Sequence, residues 1–384
     1  MFFENYSNNN LLARMGITGD KPYDNILKVL IPLAICWLPL AVITLINGTF
    51  WTGDSRTSFI SNLDTQTRVL ISVPIMILAE SIIMPKLGNI LAQLVKSGIV
   101  RAVDRDRFNH IVKQKARFLN SPWTDLTILA VSFAHVLLAG FVESPDDALL
   151  SWQFVNAGMG THLSLAGWWS LLLTRPVVLF LFYRWFIRIF VWAILLREIS
   201  KLKLNIYPVH PDLSGGLGFL GYSIRYFTPV AFAISASVAG RMIESILIGG
   251  SHLDELRVYA FLFLLLITLL FTMPLMSFTS ALMRARDRAI YENNVFANGL
   301  FRELQVKMSK DFDKVDAEDL KAPDYSASTD LSSVIGNALR MRFMPFDLKD
   351  LIPLWLATAA PFVFVAAAEV PVADLFKKLL NLIV

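Results

Sequence analysis

The sequence predicts an all-α fold, a polytopic helical membrane protein with about seven transmembrane helices and cytoplasmic helical extensions. Three observations carry this. Of 384 residues, 55% are hydrophobic and only 17% charged, with a mean hydropathy of +0.54, which is more apolar surface than a soluble core of this size requires. Several apolar runs approach or exceed the roughly 20 residues that carry a helix across a ~30 Å hydrocarbon layer. They lack strand-like alternation, and a helix satisfies its own backbone inside lipid. The third observation is that Lys and Arg concentrate in alternate loops, as they do on the cytoplasmic side of bacterial membrane proteins.

Residues 1–26 carry Glu4 and many asparagines. They lack the basic start and small-residue cleavage site of a signal peptide, so they read as a cytoplasmic segment ahead of a retained first span at 27–49. Further spans are expected at 69–95, 124–142, 163–196, 224–249, 257–283 and 351–368. The 96–123 loop holds seven Lys/Arg, whereas 143–174 holds none but has Glu143, Asp146 and Asp147. Arg197, Lys201 and Lys203 open the next loop, 250–256 has no Lys/Arg, and 284–349 has eleven. This alternation places the N-terminus in the cytoplasm and the last span's exit on the opposite face. Residues 27–283 then form the bundle, and 284–350 a cytoplasmic helical segment with a linker. Residues 351–384 hold the last span and an amphipathic tail. The fourth span has two readings, a crossing at about 176–196 or a start near 163.

The loops carry helical signals of their own. In 100–119, Val100, Val103, Phe108, Ile111, Val112 and Leu119 recur at near-helical spacing opposite basic residues, which suits a helix on the membrane surface or one packed beneath the bundle. "NSPWTD" reads as a helix start, with Ser121 as N-cap and Pro122 in the first turn. Beyond the sixth span, Ile290, Ala297, Phe301, Leu304 and Met308 extend the helix outward, and thirty residues would project about 45 Å. The acidic "DFDKVDAEDL" and the "KAPDYSASTD" connection follow. The tail "VADLFKKLLNLIV" is too short to cross and reads as an interfacial helix. No internal repeat stands out, which argues against an inverted-repeat transporter.

Charges inside spans are costly in lipid, so they face the bundle interior or a water-filled path and take partners. The candidates are Glu80, His135, Arg184 and Arg188, and the pair Arg241 and Glu244, spaced to meet on one helix. Glu80, Arg184 and His135 are expected to form one buried cluster. Its two readings are a static ion pair that sets helix register and a permeation or proton-transfer path.

The stretch "PVHPDLSGGLGFLG" from 208 to 221 places His210, Asp212, Gly215, Gly216 and Gly218 ahead of an apolar run. Glycine-rich backbone at a helix start can receive a phosphate or lipid headgroup, and His210 with Asp212 can serve as an acid/base pair or as two metal ligands. The alternative is a plain reversal, with Pro208 and Pro211 stopping one helix and the glycines turning the chain. No Walker lysine follows the glycines and no strand precedes them, which excludes the nucleotide fingerprints. The single cysteine, Cys36, leaves no disulfide or thiolate cluster within one chain. His110, His162 and His252 read as solvated, and Trp168, Trp169, Trp185 and Trp192 as interface anchors or bundle filling. No cofactor motif is present, and no basic stripe interleaved with aromatics suggests nucleic acid.

Two elements, "HPDLSGGLGFLG" and "LRMRFMPFD", resemble parts of uncharacterised bacterial polytopic membrane proteins. The resemblance covers about a tenth of the chain. It implies a bacterial inner membrane and joins the two elements in one cytoplasmic architecture, with Arg342 and Asp347 as partners of the glycine loop. It brings no activity. The functional expectation is an oligomeric channel or transporter. The alternatives are an enzyme acting on a phosphate-bearing lipid, or a membrane-anchored scaffold that binds a cytoplasmic protein through 284–350.

Overall fold

The computed structural model describes residues 22–53, 57–140, 152–156, 161–248, 253–310, 333 and 335–369. The N-terminal residues 1–21, the acidic and Ser-rich connection, His252 and the C-terminal tail lie outside the described residues. The fold is all-α apart from one small hairpin. The described helices are α1 Pro22–Ile46, α2 Leu63–Lys96, α3 Arg105–Leu119, α4 Pro122–Gly140, α5 Leu165–Ser200, α6 Gly218–Leu247, α7 Leu253–Thr272, α8 Thr279–Lys310, α9 Leu348–Ala359 and α10 Phe362–Glu369. The hairpin pairs β1, Phe154–Asn156, antiparallel to β2, Thr161–Leu163.

Among the described residues, six helical stretches are long and apolar enough to cross a membrane, making this a multi-pass membrane protein. The sixth expected span departs from a single straight helix: α7 and the helix after it are bent by 47° at a break, where Met273 and Pro274 precede a 3-10 turn, Leu275–Phe278. Proline supplies no backbone donor and its ring obstructs the preceding turn, which accounts for the bend. The fourth span follows the longer expected version, which starts near 163: α5 is continuous from Leu165 and runs on to Ser200.

Helices α2 and α5 share a plan that sequence periodicity does not display. Each opens with a short α-helical turn, widens into a π segment (Thr67–Ser72 or Ser170–Thr174), and meets a proline just beyond it (Pro74 or Pro176). In both, the first amide after the π segment reaches back five residues, Val73 N–H to the Arg68 carbonyl and Arg175 N–H to the Ser170 carbonyl. The wider turn absorbs the carbonyls that proline cannot satisfy. Beyond their other ends, Val100 and Leu204 pair in an antiparallel bridge.

The core is organised around α6. Val230, Ala231, Ala233, Ile234, Ser235, Ala236, Ser237, Ala239 and Gly240 are all buried, and such small side chains let helix backbones approach closely. The Ser72 hydroxyl donates to the Ala233 carbonyl at 2.7 Å and sits 2.8 Å from the Ser237 hydroxyl. The Trp185 indole donates to the Met76 carbonyl at 3.0 Å, and Phe227 stacks on Phe271 with centroids 5.3 Å apart. By contrast α1 and α7 leave Leu38, Leu45, Phe261 and Leu266 exposed, an apolar surface suited to lipid.

A Cβ at Gly240 would overlap the Thr67 hydroxyl and lie 3.0 Å from the Leu63 carbonyl, so this glycine sets the contact between α6 and the start of α2. Gly240→Ala is expected to cost about 1–3 kcal/mol, the usual penalty for overpacking. Gly299→Ala, where nothing lies within 4 Å, should be neutral or stabilise by up to about 1 kcal/mol, as for any exposed helical glycine. Thermal unfolding of the two variants in detergent distinguishes these outcomes.

Candidate functional site

Two groups of polar residues stand out, and they lie toward the same end of the bundle, called here the basic end, where 97–104, 201–217 and 341–347 connect the helices. The first is an ion network among α2, α4 and α5. Glu80 contacts Arg188 directly, and its Oε1 lies 3.4 Å from Arg184 Nη2. Arg184 Nε lies 3.4 Å from Asp125 Oδ1. All four side chains are at most 13% exposed. Arg188 also stacks 5.0 Å above the Trp185 ring, and the buried Lys28 of α1 lies within electrostatic range of Glu80.

Helix length fixes the depth of this network. At 1.5 Å per residue, the 19 residues of α4 span about 28 Å, close to one hydrocarbon thickness, whereas the 34 and 36 residues of α2 and α5 reach about 51 and 54 Å. The two long helices therefore overrun the bilayer. Asp125 lies in the first turn of α4, and Arg184 touches it. The network thus lies level with the start of α4, toward the basic end, although Glu80 is at the midpoint of α2 in sequence.

His135 does not join this group. Its Nδ1 is 2.5 Å from the Tyr183 hydroxyl, one residue before Arg184. Asp125, absent from the expected cluster, takes its place. In sequence Asp125 reads as an acidic residue in a helix's first turn, a position that the helix dipole favours on its own. Arg241 lies within electrostatic range of Glu244 without an ion pair at contact distance, and Glu244 accepts from the Asn62 amide at 2.7 Å and the Asp64 backbone N–H at 3.2 Å. That pair of contacts ties α6 to the start of α2 at the far end.

The second group is the glycine loop, and it is closed. The Asp212 carboxylate accepts three backbone N–H donors, Ser214 at 2.9 Å and Gly216 at 3.1 Å on Oδ1, and Gly218 at 2.8 Å on Oδ2. Burial pushes this carboxyl up, but those three donors, with His210 alongside, outweigh it and hold Asp212 below the usual carboxylate range. Gly215 and Gly216 have φ of 65° and 87°, the left-handed region that glycine enters without strain. The N–H cradle that could receive a phosphate is filled by the chain's own Asp212, and a Cβ at Gly218 would lie 3.0 Å from its Oδ2.

His210 Nδ1 faces two incompatible partners. It is 3.2 Å from the Asp212 backbone N–H, which a neutral ring can accept, and 2.9 Å from Asp212 Oδ1, to which only an Nδ1–H can donate. Either arrangement stays within the loop. Among the described residues, no group of three or more His, Cys, Asp or Glu could hold a metal ion.

The loop is clasped by the segment before α9. Arg342 donates from its backbone to the Leu213 carbonyl at 2.6 Å and from Nη2 to the Asp212 carbonyl at 2.8 Å. Its Nη1 lies 3.0 Å from Asp347, which forms a reciprocal capping box with Asp350 at the start of α9. Asp350 in turn accepts both Nε and Nη2 of Arg225 at 2.8 Å. Arg342 and Asp347 thus meet the glycine loop and each other.

The expected amphipathic helix at this end is α3. It packs beneath the bundle, with Phe108, Ile111 and Val112 buried and Lys115 bonded to Glu198 of α5 at 2.6 Å. No protein-family model, curated protein or solved structure matches this chain.

Proposed function

We propose that this chain is a channel or transporter for ions or small solutes in a bacterial inner membrane. It crosses seven times, counting the bent pair at Pro274 as one span, with the N-terminal segment 1–26 and residues 284–350 in the cytoplasm. The observation that carries this reading is the buried network of Glu80, Arg184, Arg188 and Asp125, which couples three helices toward the basic end. Buried ionised groups on spanning helices line solute or ion paths when they are not a static pair that sets helix register. Orientation follows the basic residues, which places the network at the cytoplasmic mouth. A homo-oligomer or a cytoplasmic partner engaging 284–350 is part of the proposal. It is supported by Tyr291, Val295 and Phe296, exposed by 61–75% on the projecting part of α8.

Purified protein in liposomes tests the reading. Wild type should carry ion or solute flux, and Glu80→Gln, which keeps the side chain's shape and removes its charge, should change that flux about tenfold or more. Absence of flux under every gradient and voltage applied would remove the proposal. The lipid-enzyme alternative needed His210 and Asp212 to face a substrate, and the carboxylate is already engaged by three amides of its own loop.

A further inference from the structure

Ahead of the glycine loop, lined by residues up to Tyr207, lies a cavity of about 870 Å³. Three separate segments build it: Arg101 ahead of α3, the continuous run from Arg197 at the end of α5 through Tyr207, and the face from Ser277 to Arg288 that enters α8. We infer that this cavity is a binding site for a phosphate-bearing ligand. The inference stands apart from the transport reading and does not depend on it.

The charge distribution points to the ligand. Arg101, Arg197, Lys201, Lys203, Arg284 and Arg288 line the cavity, and among the described residues no aspartate or glutamate lines it. Glu198, on the same turn of α5 as Arg197, is held by Lys115 at 2.6 Å on the α3 side. The positive-inside tendency explains basic residues in loops, but it does not explain why three separate segments converge their cations on one concavity. Like charges gathered without a counter-ion repel, and protein surfaces normally intersperse both signs. A multiply charged anion removes that repulsion and gains charge-assisted hydrogen bonds, which are shorter and stronger than neutral ones.

The space is built as well. On the α8 side, Ser277, Ser280, Ala281, Arg284, Ala285 and Arg288 recur at helical spacing. The four small residues keep that face low, and the two arginines stand one turn apart at its rim. Opposite them, Arg197 and Lys201 are also one turn apart. Arg101 donates its Nε to Asn205 Oδ1 at 2.9 Å, while the Asn205 amide donates to the Gly98 carbonyl at 3.1 Å, so one cation is held by a fixed bracket. The volume falls within the range of small-molecule sites. Hydroxyls of Ser277, Ser280 and Tyr207 add donors suited to phosphate oxygens.

Such a ligand could be a soluble phosphate compound or the headgroup of an anionic lipid. The test uses full-length protein in detergent at constant ionic strength set with chloride. Binding of tripolyphosphate and of short-chain phosphatidic acid is followed separately by ligand-induced thermal stabilisation and by native mass spectrometry. Wild type should bind at least one probe, and Arg284→Ala with Arg288→Ala should weaken that binding about tenfold or more. Lys203→Ala is a second variant at an exposed site that leaves α8 untouched, and should weaken it in the same direction. Arg105→Ala with Arg107→Ala, which removes two exposed cations of α3 outside the cavity, should leave binding unchanged.

Tripolyphosphate binding alone assigns a soluble ligand, phosphatidic acid alone assigns a headgroup, and both support the site. Failure of both probes to bind wild type overturns the inference. So does equal loss in the α3 control, since this would reduce the effect to net charge.

Discussion

Replacing Glu80 by methionine is expected to cost about 3–5 kcal/mol, the range found when one partner of a buried ion pair is removed, and more than Arg188→Met costs. The asymmetry follows from the charges. Lys28, Arg184 and Arg188 face Glu80 and Asp125, so the group carries three positive charges and two negative, a net of +1. Removing Glu80 raises this to +2 and takes away the carboxylate that touches both arginines. Removing Arg188 lowers it to zero, and Glu80 keeps Arg184 at 3.4 Å. In the double variant the net returns to +1 and Arg184 keeps Asp125 at 3.4 Å, so most of the loss should be recovered, to within about 1–2 kcal/mol of wild type. Unfolding of the four proteins in mixed micelles completes the cycle. A Glu80→Met loss below about 1 kcal/mol, or losses that simply add, would show that the network is solvated and does not hold the helices together.

What could be read from the chain depended on whether a signal is local. Apolar runs and the switch in loop charge both are, and they locate the helices. Glu80 and Arg184 were legible as partners because a charge within an apolar run has few alternatives to pairing, whereas Arg188, which contacts Glu80 directly, was read only as lying one turn from Arg184. The network's depth in the bundle was not legible. At 34 residues α2 is longer than one hydrocarbon thickness, and its end packs in one core with Phe108, Ile111 and Val112 of α3, so the midpoint of the run does not mark the midplane of a membrane. Asp125 escaped notice because its local explanation was already sufficient, and His135 was included only because of its position along α4. The π segments were hidden as well, since proline one or two residues inside a helix reads as an ordinary start. The basic cavity was obscured in the same way: Arg197, Lys201 and Lys203 satisfied the loop-charge rule, and nothing in their spacing indicates that Arg284 and Arg288 stand opposite. The clasp between the glycine loop and Arg342 was reached through resemblance alone, since no spacing rule connects residues 130 apart.

Asp212→Ala is expected to open the glycine loop, with a cost of about 2–4 kcal/mol, because a hydrogen bond to a charged group contributes roughly 1.5–3 kcal/mol and bonds sharing one carboxylate are not additive. Asp212→Asn should cost about half as much. An amide keeps one acceptor oxygen, able to hold the Ser214 and Gly216 amides that share Oδ1, but it offers Gly218 a nitrogen where Oδ2 stood. Hydrogen exchange resolves this residue by residue: in Asp212→Asn protection should fall at Gly218 and persist at Ser214 and Gly216, while in Asp212→Ala it should fall at all three.

Acid should have the same effect on wild type. The folded carboxyl lies below its ordinary value, so its contribution is fully present above the unfolded pKa of about 3.9 and is lost as pH falls through the folded value. Loop protection in wild type should therefore decline below about pH 4, and Asp212→Asn should lack that dependence on Asp212. Asp347 contributes in the same direction, since the hydrogen bond from the Leu348 backbone and the neighbouring Arg342 hold it below its ordinary value. The two carboxylates are joined through Arg342, which holds the Asp212 carbonyl at 2.8 Å and Asp347 at 3.0 Å. Opening the loop should therefore also loosen the first turn of α9. Unchanged protection at Gly216 and Gly218 in Asp212→Ala would mean that the clasp from 342–347 holds the turn without the carboxylate.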